Sequence, residues 1–321
     1  MVKTTGPLFS LEAHGKLANT LNYSKKRSGS QVRKFHYPKK KVTGPQWTQR
    51  HIIGMITARW QVMTDEEKAP YLVDAKIANP VITGFNYFVY VAQTDMRTHL
   101  GLMGCWLFNE TGGAAIIDAS GGGSHGTLEP TYPSDVPARI PSFSDQYHNA
   151  LRFNDTARWV GLGSPAALKV GTSDFTLVMW VKTSTTDAGE KMLYVSRGAT
   201  KTIYTEIYQK KARIVSGSAS FQHSQVITDG KWHFLCFACD RDAGINISVD
   251  LKAESNEATD TASFDPNEDV VIGVYGATQD SRWEGDIDNV MLFDRVLSAA
   301  EQKKIYEIMR RGKKRQPRVI H

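Results

Sequence analysis

The chain has 321 residues, of which 41% are hydrophobic and 22% are charged, as is typical of a globular protein with room for two domains. No apolar run approaches the roughly 18 residues that a membrane span requires, so the sequence predicts no such span. The N-terminal stretch MVKTTGPLFSLEAHGK lacks the apolar segment of a secretory signal, so export by that route is not indicated.

Charge is unevenly distributed along the chain. Residues 1–102 contain 15 Lys and Arg against 6 Asp and Glu, residues 103–310 contain 19 against 27, and residues 311–321 contain 5 against none. This distribution predicts a basic domain over 1–100, an acidic body over 101–310 and a basic tail over 311–321. A basic domain suits either nucleic acid or an acidic protein surface.

The basic domain is predicted to open with a small strand meander. The runs LFSLEA, TLNYS and SQVRKFHYP have the short apolar–polar alternation of strands. Gly15 and the RSGS at 27–30 are turn signals, and Pro38 ends the last strand. We expect the basic side chains to lie on the outside of this meander.

Helical periodicity follows. Apolar residues from Ile52 to Met63 recur at helical spacing, and Thr64 with Glu67 three residues later forms a capping box that predicts a second helix from about residue 65. The aromatic segment ITGFNYFVYVAQTDMRTHL is predicted to be a further helix that packs over the other two. The sequence therefore indicates a small α+β basic domain.

The short motifs PLFS, VRK, DEEK and GFN occur in this order within residues 6–92. Their order resembles a module found near the start of virion-associated proteins that bacteriophages encode. The resemblance implies the context of a virus particle rather than a particular chemistry.

Part of the same region, W…MTDEEKAPYLVDA, superficially resembles an HMG box, which binds the minor groove of DNA. An HMG box has its aromatic helix before this segment, whereas here the aromatic segment follows it. The basic residues also lie on strands and not on a groove-facing helix. We therefore expect a protein as the partner of the basic domain, with nucleic acid as the alternative.

From residue 103 onward the sequence is a succession of strands separated by Gly, Asn and Asp turns. Several of them alternate apolar with polar residues, as half-buried antiparallel strands do. So many strands over about 200 residues predict two packed sheets.

Six motifs in this region share the order of one known family. They are CWLFNETGG, ALRFND, DFTLVMWVKT, DGKWHFLCFACDR, VVIGV and GDIDNVMLFDRVLSAAEQKKIY. Over residues 103–308 they resemble a laminin-G-like, concanavalin A-like jelly roll. The resemblance implies a mainly β fold, an antiparallel jelly-roll sandwich, after the basic domain. It also implies a sugar- or protein-binding module, with some glucanases among the wider relatives and calcium as a possible cofactor.

One strand of this region carries acidic residues at alternate positions. Glucanases of the fold use a strand motif close to E-x-D-x-x-E, whose two glutamates are nucleophile and acid. Here Glu284, Asp286 and Asp288 are followed by Asn289 where the second glutamate belongs. The broken motif predicts a structural role, in which Asp288 accepts N–H bonds from a turn and a strand, and no catalytic residues. A glycan-degrading enzyme stays as the alternative.

Other polar residues give weaker indications. Asp118, Asp155, Asp280 and Asp286 offer oxygen ligands for calcium, but no calcium-loop spacing is present, so we name no metal site. His125 is predicted to be a turn residue, since no second His or Cys lies at ligand spacing.

The cysteines are predicted to be buried structural thiols. Cys236 and Cys239 form a CxxC on a strand, where positions three apart point to opposite faces, and Cys105 alone cannot complete a zinc site.

Two sets of residues are predicted to make contacts with partners. The loop at 275–283, YGATQDSRW, offers an aromatic and polar set suited to sugars, although loop aromatics also pack at a rim. Its ligand-binding candidates are Tyr275, Gln279, Asp280 and Trp283. The candidates for anchoring in the basic domain are Leu8, Phe9, Lys25, Lys26, Arg27, Arg33, Lys34 and Phe35.

Together these features predict a bacteriophage virion structural protein, either a capsid decoration or a tail-associated protein, on the exterior of the particle. Its basic domain would attach to capsid or tail proteins, and the chain would form a homo-oligomer. Its laminin-G-like domain would bind glycans or surface proteins without catalysis. The alternatives are a glycan-degrading enzyme and a nucleic-acid-binding protein.

Overall fold

The computed structural model describes residues 15–17, 21–26, 29–34, 44–78, 82–129, 137–143, 148–154, 159–163, 166–185, 191–197, 202–257, 270–274 and 281–310. The chain divides into two compact units, Met1–Val42 and Thr43–His321. The boundary predicted near residue 100 differs from this division, for a reason that lies in the packing of the helices.

The first unit contains an antiparallel sheet in the order β1-β2-β3. Its strands are Gly15–Leu17, Leu21–Lys26 and Gly29–Lys34. Strands β2 and β3 agree with the predicted runs TLNYS and SQVRKFHYP, whereas LFSLEA lies outside the described residues. The turn predicted at Gly15 is wrong, because Gly15 pairs with Tyr23 as the first residue of β1.

The second unit begins with four helices. They are α1 Gly44–Val62, α2 Asp65–Ile77, α3 Gly84–Thr94 and α4 Met96–Leu100. The predicted capping box is confirmed, since the Glu67 N–H donates to Thr64 Oγ1 at 3.2 Å and the Thr64 N–H donates to Glu67 Oε2 at 2.8 Å. Within the described residues, none of the helices is long and apolar enough to cross a membrane.

The aromatic helix α3 packs as the sequence predicts. Phe88 is fully buried, and its ring lies 5.4 Å from that of Trp60 on α1 and 4.9 Å from that of Tyr71 on α2, measured between centroids. These contacts join the first three helices into one layer.

The remaining strands form two antiparallel sheets. The strands are β4 Leu102–Trp106, β5 Ala115–Ile116, β6 Gly126–Glu129, β7 Ala138–Pro141, β8 Asn149–Asn154, β9 Trp159–Gly161, β10 Phe175–Lys182, β11 Lys191–Arg197, β12 Thr202–Tyr208, β13 Lys211–Ser216, β14 Ala219–Val226, β15 Trp232–Asp240, β16 Gly244–Val249, β17 Lys252–Asn256, β18 Val271–Ile272 and β19 Glu284–Phe293. The front sheet has the order β17-β16-β15-β10-β19-β8-β7, with β4 also paired to β19. The back sheet has the order β14-β13-β12-β11-β18-β9-β6-β5. The predicted mainly β sandwich is confirmed.

The central strands of the front sheet are buried on both faces. Along β10, Leu177, Met179 and Val181 belong to the core between the sheets. The alternate residues Val178 and Trp180 belong to a second apolar cluster with the helices. The runs of β10 and β15 are therefore almost continuously apolar, since neither face is left to water.

Helix α5, Ala299–Arg310, completes this cover together with α1. Residues of both helices share the second cluster with the outer face of the front sheet, among them Ile56 of α1 and Ile305 of α5. A Cβ at Gly54 would lie 3.0 Å from Ile308 Cγ2, so glycine allows α1 and α5 to approach closely. The helices before residue 100 therefore group with the sandwich instead of the basic strands.

The cysteines confirm their predicted role. All three are free and buried. Cys236 faces the helices while Cys239 faces the core between the sheets, so the two thiols lie on opposite sides of β15. Burial also raises the pKa of the Cys236 thiol, which is therefore neutral.

We predict that the sandwich is not stable without its helical cover. A chain of residues 103–310 keeps α5 but lacks α1 to α4, so it would expose Phe293, Leu297 and Ile305, which lie beside residues of α1 and α4. Burying one such side chain stabilises a fold by about 1.5–3 kcal/mol. We expect it to aggregate or to unfold at a much lower temperature than residues 43–310. Size-exclusion chromatography and thermal circular dichroism measure this difference. Equal melting temperatures for two monomeric chains would contradict the prediction.

Candidate functional site

The acidic strand β19 does not present a pair of free carboxylates. Asp286 is 3% exposed. Arg152 binds it through two N–H groups of the guanidinium, with Nε donating to Oδ1 at 2.7 Å and Nη2 donating to Oδ2 at 3.0 Å. Lys182 Nζ lies 4.0 Å from Oδ2. Two cations thus neutralise Asp286, while Glu284 at the start of the strand is exposed.

Asp288 is fully buried. The Ser142 hydroxyl donates to its Oδ2 at 2.5 Å, a side-chain donor where the sequence predicts backbone N–H groups. Burial raises the pKa of the Asp288 carboxyl well above its usual value, and hydrogen bonds from Ser142 and from the Asn289 N–H offset this only in part. The raised pKa favours the uncharged form of Asp288, in keeping with a structural role.

The backbone of β19 accounts for the residues around Asp288. Asn289 has φ +51° at a bulge, where the register against β10 shifts between Val178 and Trp180. Asn tolerates this left-handed conformation better than Glu does. Gly285 has φ +142°, and a Cβ there would lie 2.2 Å from the Lys182 carbonyl oxygen. The departure from the glucanase motif at Asn289 thus suits the local geometry of the bulge.

A second group of side chains forms a concave site on the outer side of the front sheet. We call it the aromatic pocket; its volume is about 350 Å³, within the usual range of small-molecule sites. It is lined by Phe143, Trp180, Trp232, Asp250, Tyr306 and Arg310.

The rings of the aromatic pocket support one another. Trp180 on β10 is 3% exposed, and Phe143 stacks on it at 4.1 Å with an interplanar angle of 28°. Tyr306 of α5 stacks on the same indole at 5.3 Å and 22°. Trp232 begins β15 and is tilted 43° from the Phe143 ring, so the half-buried rings form a corner and not a flat slot.

Asp250 provides a fixed carboxylate at this pocket. The Phe234 N–H donates to Oδ1 at 2.9 Å, and His233 Nδ1 lies 2.8 Å from Oδ2. Burial alone would raise the pKa of Asp250, but these hydrogen bonds lower it below its usual value. Burial likewise favours neutral His233, yet the bonds to Asp250 and Asp229 raise the pKa of its ring. The carboxylate is charged and rigidly oriented as a result.

Arg310 provides the opposite charge at the end of α5. Its Nη1 donates to the Tyr306 hydroxyl at 2.6 Å, and its guanidinium carbon lies 5.0 Å from the centroid of that ring. The side chain is exposed, so its other N–H groups face solvent. The pocket therefore combines ring faces with one anion and one cation.

The aromatic pocket is not evident from the sequence. Trp180 and Trp232 lie in apolar strand runs that are typical of core residues, and the structure buries Trp180 but only half buries Trp232. The available signal was the position of Trp232 at a strand start beside a polar turn, where a large ring is only half buried.

The predicted ligand loop is not tested as a whole. Tyr275, Gln279 and Asp280 lie outside the described residues. Trp283 is 1% exposed and belongs to the core between the sheets, so it is packed and does not line a surface. The anchoring candidates Lys25, Lys26, Arg33 and Lys34 lie on β2 and β3, while Leu8, Phe9, Arg27 and Phe35 lie outside the described residues.

The acidic residues considered for calcium have other partners or are not described. Asp118 accepts the N–H groups of Cys105 and Ser120 at 2.9 Å and that of Ser124 at 3.0 Å. The Asp118 N–H in turn donates to His125 Nδ1 at 3.0 Å, in line with a turn residue. Asp155 and Asp280 fall outside the described ranges, within which no group of three His, Cys, Asp or Glu could hold a metal.

We predict that Asp288→Asn is tolerated and removes a pH dependence. Because the pKa is raised on folding, Asp288 contributes stability below about pH 3.9 and loses it as pH rises through its folded pKa. Across that window the variant should gain about 1.4 kcal/mol per pH unit over the natural chain. Urea unfolding from pH 4 to 8 measures the difference. A constant difference over this range would show that Asp288 titrates normally.

Comparison with known proteins agrees with this fold. Residues 154–301 match the Laminin_G_3 family model, described as the concanavalin A-like lectin/glucanases superfamily. No curated protein matches the chain.

Two solved structures illustrate the similarity. The binding domain of paraclostridial Mosquitocidal Protein 1 has a TM-score of 0.51 and 12% identity to this chain. The aligned region covers 64% of this chain and 51% of that domain, so this chain spans about half the length of that structure. Domain 4 of AbnA, an extracellular GH43 arabinanase from Geobacillus stearothermophilus solved with arabinotriose, has a TM-score of 0.51 and 16% identity over 64% of this chain and 97% of its own. At such identities the similarity concerns the fold. Residues 154–301 are thus similar to the concanavalin A-like lectin/glucanases superfamily, in keeping with the antiparallel sandwich of the described strands.

Proposed function

We propose that this protein binds glycans through its laminin-G-like domain without cleaving them. The aromatic pocket carries the proposal, because half-buried rings beside fixed polar groups are what sugar recognition requires. The fold similarity to an arabinanase domain solved with arabinotriose and to the binding domain of a mosquitocidal protein supports it.

The state of β19 favours binding over hydrolysis. A retaining glycosidase needs two carboxyl groups about 5–5.5 Å apart, one of them ionised as nucleophile. Asp286 is held by Arg152, and Asp288 is fully buried with a raised pKa that disfavours its charged form. Glu284 therefore lacks a free carboxylate partner on its own strand.

We further propose that the chain is displayed on the exterior of a bacteriophage particle. The basic domain would then attach to acidic capsid or tail proteins, and several copies of the chain would assemble there. The resemblance of residues 6–92 to a virion-associated module supports this. So does the compact unit Met1–Val42, which is distinct from the sandwich and has Lys25, Lys26, Arg33 and Lys34 on its strands.

A glycan array tests the binding function directly. We expect the full chain to retain a subset of glycans, and we expect no new reducing ends when those glycans are incubated with it. Glu284→Gln is the matched control and should bind equally. Turnover that disappears in this variant would establish the enzyme alternative, and an array without hits would overturn the proposal.

Co-sedimentation with particles tests the anchoring function. Residues 43–321 should keep glycan binding but lose attachment, while attachment of the full chain should weaken only in part at 1 M salt, where the Debye length is about 3 Å. Duplex DNA should bind weakly with a steep salt dependence. Tight DNA binding at physiological salt that needs residues 1–42 would favour the nucleic-acid alternative.

A further inference from the structure

Polar side chains of the aromatic pocket have hydrogen-bonding positions that no protein group within the described residues occupies. A carboxylate has about four acceptor positions. In Asp250, the Phe234 N–H and His233 use one position on each oxygen. The side chain is 31% exposed, so acceptor positions remain open toward solvent.

The turn that carries Asp250 is unusual. Asp250 has φ +52° and Leu251 has φ +70°, a pair of left-handed residues for which hairpins usually select Asn-Gly or Asp-Gly. Leu251 packs against the cluster beneath the helices, which explains its presence despite the strain. The turn thus holds the Asp250 carboxylate in a set direction at the pocket.

The hydrogen-bond donors of the pocket come from α5 and not from the turn that carries Asp250. Arg310 has five N–H groups and uses one of them on the Tyr306 hydroxyl. Tyr306 packs on Trp180 through its ring, so the end of α5 is fixed at this point. A ligand in the pocket therefore meets an acceptor from the β16–β17 turn and donors from α5.

These groups select against charged ligands. A carboxylated ligand would be attracted by Arg310 but repelled by Asp250, and an ammonium ligand the reverse, so neither gains a net attraction that offsets the desolvation of its charge. Hydroxyl groups suit both side chains, because a hydroxyl donates to Asp250 and accepts from Arg310. The corner between Phe143 and Trp232 suits a ring with apolar C–H faces.

Resting on the proposed glycan-binding function, we propose that the aromatic pocket is its binding site and takes one neutral pyranose residue. The C–H face of the sugar lies on the Trp232 and Phe143 rings. One of two neighbouring hydroxyls donates to Asp250, and the other accepts from Arg310. Trp180 lies beneath as a positioning residue that holds Phe143 and Tyr306.

Three related probes test the ligand class. They are methyl glucoside, methyl glucuronide and methyl glucosaminide at pH 6, with the methyl glycosides of galactose and mannose as further neutral sugars. Saturation-transfer NMR with the full chain should detect at least one neutral glycoside. The anionic and cationic analogues should bind at least about tenfold more weakly, a difference of about 1.4 kcal/mol. Equal binding of either charged analogue would overturn the neutral class.

Variants test the position of the site. Trp232→Ala and Arg310→Gln should each weaken binding of the neutral glycoside and of the array glycans about tenfold or more. Tyr90→Ala removes a ring that is 64% exposed on α3, outside the pocket, and should change binding less than twofold. Should Trp232→Ala fail to fold, Arg310→Gln decides alone, since Arg310 is exposed at a helix end.

The outcomes separate this inference from the function on which it rests. Array glycans that bind Trp232→Ala and Arg310→Gln as well as the natural chain would overturn the pocket assignment and leave the glycan-binding function intact. Loss in both variants with circular dichroism unchanged supports the assignment. An array without any hit overturns both.

Discussion

The burial of the outer face of the front sheet is the constraint on which the rest of this structure depends. Val178, Trp180 and Phe234 point away from the core between the sheets and are apolar, so the sandwich is incomplete until helices cover them. Ion pairs also hold the covering helices in place. Glu301 of α5 binds Arg295 through both oxygens, at 2.8 and 3.0 Å, and lies 3.5 Å from Arg59 of α1. Burial would raise the pKa of Glu301, but Arg295 lowers it, so the carboxylate stays charged between its partners.

The same cover shapes what this face can do chemically. Apolar side chains of α1 and α5 occupy the area beside β10, β15 and β19 where an open sheet would offer a cleft. Asp288 lies fully buried on β19, and burial raises the pKa of its carboxyl. At the end of α5, by contrast, the covering stops at Tyr306 and Arg310, and the aromatic pocket opens. The outer face of the front sheet thus carries a buried carboxyl in one part and accessible rings and polar groups in another.

The sequence predicts those features that depend on neighbours in the chain. The predicted capping box at Thr64 and Glu67 is present, because three residues of helix bring the partners together. Ser298 and Glu301 have the same spacing and form a second capping box at the start of α5. The strands and the sandwich follow from alternation and from family motifs. The grouping of α1 to α4 with the sandwich depends on contacts between distant residues, although the unbroken apolar runs of β10 and β15 indicate that both faces are covered.

The candidate site could not be predicted in the same way. Phe143, Trp232 and Tyr306 come from three separate segments, and the tilt between their rings is fixed by tertiary packing that no local pattern encodes. The left-handed Asn289 is likewise visible only in the structure, whereas its consequence, a broken acidic motif, is visible in the sequence.

The close contact between Gly54 of α1 and Ile308 of α5 bears on biosynthesis. The two helices come from opposite ends of the second unit, so the cover cannot close until the ribosome has released α5. Until then the nascent sandwich keeps an apolar face open to other chains, which is the kind of surface that aggregates or recruits chaperones. Folding of this unit is therefore completed only after α5 has been translated. The yield of folded protein in a cell then depends on how well the uncovered apolar face is protected until that point.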